Sequence, residues 1–143
     1  MHDRGEIENL MVLYTEALDE ARFPDLGVLF AYGAVTIEGG PQDGSVARGE
    51  AEVTQLYSSI VALDASGRAN TRHFITNIFV KVTGQAAVGR SYFAVSQQTA
   101  DLALQLVACG AYHDTFEKSD GQWRFTKRHI VCDQVGDLSR HML

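Results

Sequence analysis

Apolar positions recur along this chain with two different periods, and the change of period splits it into a helical first part and a strand-rich second part. From Glu6 to Ala21, Ile7, Leu10, Met11, Tyr14, Ala17, Leu18 and Ala21 return at three- and four-residue steps. Glu6, Glu8, Asn9, Glu16 and Glu20 fall between them, which predicts an amphipathic helix. Pro24 to Phe30 predicts a shorter helix with proline in its first turn. Gly33 to Glu38 has strand character, and Gly39 to Ser45 is a turn-rich loop. Helical spacing returns from Gly49 to about Leu63, through Val53, Leu56, Tyr57, Ile60 and Val61.

Period two then takes over. Four long strand-like runs cover 70–83, about 86–98, about 102–117 and about 122–135. The breaks are Thr83-Gly84-Gln85, Thr99-Ala100-Asp101 and Ser119-Asp120-Gly121-Gln122, the last with the Asp-Gly of a hairpin. Helices first and an antiparallel meander after predict one α+β domain over 1–143. A chain of this length buries roughly 70% of its extended surface. Helices on one face of long, curved strands leave part of the concave side unfilled, so a ligand cavity is expected. Gly136 to Leu143 reads as a loose tail or a short helix.

The first strand run carries the candidate chemistry. Alternation puts His73, Ile75, Asn77, Phe79 and Lys81 on one face and Arg72, Phe74, Thr76, Ile78, Val80 and Val82 on the other. Large apolar groups on both faces predict cover on both, helices on one side and a second layer or a partner subunit on the other. A histidine and an asparagine turned into a covered space need partners. The plain reading of His73 is a satisfied core histidine; the functional one is a general base. Asp19 weighs toward the second. It sits near the C-terminal end of the first helix, where the dipole disfavours an anion, so an inward carboxylate needs a donor such as an imidazole; the plain reading is a solvent-exposed acid like Glu16 and Glu20 beside it. Tyr14, on the apolar stripe of that helix, is either packing or a hydrogen-bond donor to a substrate oxygen. Alternation groups Arg128 with Thr126, Ile130 and Cys132 and separates it from Phe125. If that face lines the cavity, Arg128 needs an anion, either Asp19 or charge developing on substrate; otherwise it is a surface ion pair. Asn77, Phe79, Phe93 and Tyr112 are expected in the substrate-binding wall, while His113 and His129 read as surface or interface residues.

Composition narrows the partners. A net charge of -6 argues against nucleic acid and anionic membranes. No apolar run approaches about 18 residues and the N-terminus has no apolar h-region, so a cytoplasmic location is expected. Cys109 and Cys132 read most simply as reduced buried thiols, with a disulfide between neighbouring strands as the alternative. The five histidines lack close metal-ligand spacing, so no metal is expected, and no nucleotide loop or serine-hydrolase elbow is present.

Three segments carry a family resemblance: the helix from Tyr14 to Asp19, the strand from Arg72 to Asn77, and the closing strands Gly110 to Asp114 and Asp120 to Arg128. Together they resemble the SnoaL-like, nuclear-transport-factor-like superfamily, in the branch with scytalone dehydratase, bile-acid 7α-dehydratase and hexachlorocyclohexane dehydrochlorinase. The resemblance implies a cone-shaped α+β barrel, often a trimer or dimer, without a cofactor. It further implies a His–Asp dyad for proton abstraction at His73 and Asp19, an assisting arginine at Arg128 and a helix tyrosine at Tyr14. The implied function is a lyase acting on a small hydrophobic substrate. An isomerase or polyketide-type cyclase, or a non-catalytic small-molecule binder, stands as the alternative.

Overall fold

The computed structural model of the protein describes residues 3–143. Its elements are α1 (Asp3–Asp19), α2 (Phe23–Val28), β1 (Ala34–Glu38), β2 (Val46–Arg48), α3 (Gly49–Ile60), β3 (Thr71–Thr83), β4 (Ala86–Thr99), β5 (Leu102–Ser119) and β6 (Gln122–Val135). The six strands form one sheet in the order β2-β1-β6-β5-β4-β3. β3 to β6 make the expected antiparallel meander, and β1 joins its far edge parallel to β6. The result is an α+β cone with its helices over the concave face, as the change of period implies.

β2 is the element that pattern alone does not show. Three residues carry no period; pairing of Val35 with Ala47 makes them a strand. α1 buries Ile7, Met11, Tyr14, Ala17 and Leu18, the predicted stripe. It ends in a two-bond stop, Arg22 N–H to Ala17 O (2.8 Å) and Ala21 N–H to Leu18 O (3.1 Å), with Ala21 at φ 56°. That stop leaves Asp19 on the last helical turn.

Two bulges correct the alternation. In β3 the register shifts between Thr76 and Phe79, with Asn77 at φ 54°. One extra residue reverses the sides beyond it. Ile78 and Val80 therefore pack toward the core, and Phe79 turns out, 42% exposed. In β6 a shift opposite Thr115 and Phe116 accommodates Thr126, so Phe125 and Arg128 are both buried, against the separation that alternation predicts.

β6 carries a further shift opposite Cys109 and Gly110, where Asp133 is the extra residue. A Cβ on Gly110 would lie 1.9 Å from the Val131 carbonyl oxygen and 2.6 Å from Phe93 Cε2. Gly110→Ala is accordingly expected to cost at least about 1–3 kcal/mol by overpacking, read as a lower urea midpoint. An unchanged midpoint would show that the strand gives way freely there.

The outer face is bare in the single chain, with Phe74, Tyr92, Leu104 and Leu106 all exposed. Cys109 and Cys132 are both free thiols, so the disulfide alternative is not realised. The C-terminal residues are neither a loose tail nor a helix. Ala62 N–H donates to His141 O (2.8 Å) and Leu143 N–H to Ile60 O (2.8 Å), which straps this segment along the end of α3. No helix among the described residues is long and apolar enough to cross a membrane.

Candidate functional site

Between the helices and the concave face lies a cavity of about 70 Å³, several times the roughly 10–15 Å³ that one water needs. Its wall is mostly aliphatic and aromatic. Leu18 comes from α1, Ile60 from α3, Phe93 and Val95 from β4, Tyr112 from β5 and Ile130 from β6. Phe93 and Tyr112 stack with ring centroids 4.7 Å apart, forming a flat apolar surface. The polar groups on the wall include the hydroxyls of Tyr14 and Tyr57 and the imidazoles of His73 and His141.

His73 and Asp19 meet. His73 Nδ1 lies 2.5 Å from Asp19 Oδ1, with the His73 side chain 4% exposed. The same carboxylate accepts two further hydrogen bonds, from the Thr71 hydroxyl at Oδ1 (2.9 Å) and from the His73 backbone N–H at Oδ2 (2.9 Å). Three donors thus compensate an anion at the unfavourable end of a helix. They also hold the carboxylate in one orientation, which fixes the imidazole that depends on it. Thr71 is two residues before His73 and on its face, so the alternation that singled out His73 could have found it.

Tyr14 and Tyr57 are buried and their hydroxyls share a short hydrogen bond. Burial raises the Tyr14 pKa, while the positive charge of Arg128 pulls the other way. Burial, with neighbouring Tyr14, pushes Tyr57 well above its ordinary value. Both are therefore neutral hydroxyls at physiological pH. Tyr57 is on the predicted apolar stripe of α3, and nothing in that stripe signals the contact with Tyr14.

Arg128 is fully buried, and its anion is Asp114 rather than Asp19. Nε donates to Asp114 Oδ1 (2.9 Å) and Nη2 to Oδ2 (2.8 Å), a bidentate pair with both side chains at 0% exposure. Burial alone would lower the Arg128 pKa; the charge and hydrogen bonds of Asp114 overcome it and hold the guanidinium protonated. Its Cζ sits 3.7 Å above the Tyr112 ring and 4.4 Å above that of Tyr14. Arg128 therefore stands behind two tyrosines of the cavity wall, not on the wall itself, and its charge reaches the cavity through them.

Two expected wall residues lie elsewhere. Asn77 is exposed at the β3 bulge, and Phe79 sits outside with the Arg90 guanidinium 4.0 Å over its ring. His113 is exposed. His129 is partly exposed and bonded to the Thr36 hydroxyl (2.6 Å) and Glu38 (3.1 Å).

His141 was not predicted. Its segment carries no period, and only docking of the segment brings it to the cavity, 5.9 Å from the His73 ring between centroids. Burial first, then the charge of His73, depresses its pKa to about 4 from an ordinary 6.5, with Asp19 opposing. Between those values the unfolded chain binds a proton here that the folded one refuses. Stability is thus fully present above about pH 6.5 and is lost as pH falls toward 4. The urea midpoint is expected to drop over that window more steeply in the native protein than in His141→Leu. Parallel pH profiles would contradict a buried neutral imidazole.

The α+β cone closed over a mostly apolar cavity is a fold shared with solved proteins of cystatin-like fold, one of them a nuclear-transport-factor-like protein. The chain belongs to the SnoaL-like domain family, whose pattern matches residues 1–129. An uncharacterised protein of Mycobacterium tuberculosis (strain H37Rv) is 29% identical over 130 residues, 88% of this chain and 82% of its own. A Novosphingobium aromaticivorans structure named as a candidate scytalone dehydratase superposes with TM-score 0.70 at 25% identity, covering 94% of this chain and 87% of that one. The LinA structure superposes with TM-score 0.72 at 18% identity, covering 93% and 87%.

Proposed function

We propose that the protein is a cofactor-independent lyase, of dehydratase or dehydrohalogenase type, acting on a small hydrophobic cyclic or aromatic substrate. The observation that carries this reading is the Asp19–His73 pair, buried at the wall of an apolar cavity. With Asp19 accepting at Nδ1, His73 holds its proton there and presents the Nε2 lone pair. Nε2 takes a proton from a carbon next to the leaving group. The C–H electron pair becomes the new double bond, and the leaving group departs with its bonding electrons. Asp19 stabilises the imidazolium that results. Phe93 and Tyr112 offer a flat surface for a ring. Tyr14, polarised through Arg128 behind it, donates to a substrate oxygen. The exposed apolar outer face supports a homo-oligomer, a dimer or trimer.

Likeness of fold to a candidate scytalone dehydratase and to LinA supports elimination over other uses of the same base. The test is product mass. Hydrophobic hydroxy-ketones and sterol-like alcohols, incubated with the native protein and with His73→Ala, should lose water only with the former. Conversion at unchanged mass would replace elimination by isomerisation or cyclisation. Tight binding without consumption by the native protein would leave a binding protein.

A further inference from the structure

Proton abstraction by His73 leaves the second imidazole of the cavity without a task. His141 lines the cavity and is 6% exposed, yet its Nδ1 is fully buried with no hydrogen-bond partner among the described residues. The residue is not there by looseness of the chain end. Gln97, itself buried, donates from Nε2 to Arg140 O (2.8 Å), and the backbone of His141 accepts from Ala62 (2.8 Å). The neighbouring polar groups give His141 no bond: the tyrosine hydroxyls pair with each other and His73 Nδ1 with Asp19. The cavity wall contributed by the same end of the fold is Leu138, Met142, Ile60 and Val61, all apolar. A firmly held imidazole with an unmet hydrogen bond, facing an apolar chamber, is a demand that a bound molecule can meet.

We infer that His141 contacts the substrate directly and binds an oxygen substituent on it, a hydroxyl or a carbonyl, while the hydrocarbon skeleton fills the apolar cavity. A hydroxyl fits best. It donates and accepts, so it matches either tautomer of a neutral imidazole, whereas a halogen substituent offers no donor and only a weak acceptor. Burial keeps the ring neutral at physiological pH, so it acts as a hydrogen-bond partner and not as a charge opposing the imidazolium at His73. The inference rests on the lyase reading for its chemistry and narrows the substrate to oxygenated alicyclic or ring-fused aromatic compounds. It assigns the C-terminal segment a part in specificity.

The experiment measures binding alone, so it stands or falls apart from turnover. Dissociation constants of 2-indanol and indane are compared in the native protein, in His141→Leu and in His141→Gln. The ratio of the indane constant to the indanol constant should fall about tenfold in His141→Leu, the worth of one hydrogen bond, and less in His141→Gln, which keeps polar atoms. In the native protein, 2-indanol and not indane should shift the ¹⁵N resonances of the His141 ring. A ratio unchanged within twofold in folded His141→Leu, or no resonance shift with 2-indanol, would overturn the assignment. Failure of the lyase reading would register elsewhere, as conversion that survives His73→Ala.

Discussion

Asp19→Asn is expected to lower kcat about 10²–10⁴-fold while the protein stays folded. The carboxylate accepts at both oxygens, from His73 Nδ1 and the Thr71 hydroxyl on one and from the His73 backbone N–H on the other. An asparagine must place an NH₂ at one of those positions. Facing the backbone N–H, it sets donor against donor. Facing Nδ1, it makes that nitrogen the acceptor and moves the imidazole proton to Nε2, the atom that has to take the substrate proton. Either arrangement also removes the charge that stabilises the imidazolium. The measurement is kcat in both proteins, with far-ultraviolet circular dichroism to confirm the fold and ¹⁵N shifts of His73 to report its tautomer. Turnover within a few-fold of native would remove the dyad from the mechanism.

The second large effect concerns stability. Asp114→Ala is expected to cost about 3–5 kcal/mol, because it leaves the Arg128 guanidinium buried without its anion. The double variant Asp114→Leu with Arg128→Met should recover much of that loss, since it removes both charges and refills the volume. Equilibrium urea unfolding of Asp114→Leu, Arg128→Met and the double variant gives the coupling directly. Additive losses would mean that the pair is not coupled as its bidentate geometry requires. In the double variant kcat should still fall, because Tyr14 and Tyr112 lose the cation that lies against their rings.

How much of the site could be read beforehand depended on how local each signal was. His73 and Tyr14 lie on long elements whose periods are clear over many residues, and both stand where those periods point; Asp19, which the period left open between solvent and the pocket, turns to His73. Asn77 and Phe79 lie on an equally clear strand, but a single extra residue at the bulge exchanged its faces. Bulges leave little mark on composition, and pairing with β4 decides where one falls. The pattern of β6 left Arg128 open between a buried cation and a surface ion pair, and it is buried. Its anion, Asp114, comes from the neighbouring strand and is set by register, which no periodicity within β6 contains.

The order of residues by itself determined the helical and strand halves, the α+β fold class, and the imidazole and carboxylate that could act together. These follow from local preference and from the repeat of apolar positions, which operate within a few residues of chain. Tertiary structure decided the rest: that β2 is a strand, that Arg128 serves the cavity through Tyr14 and Tyr112, that Tyr57 meets Tyr14, and that His141 reaches the chamber from the far end of the chain. Each of these depends on contacts between residues distant in sequence, whose geometry exists only once the sheet has closed beneath its helices.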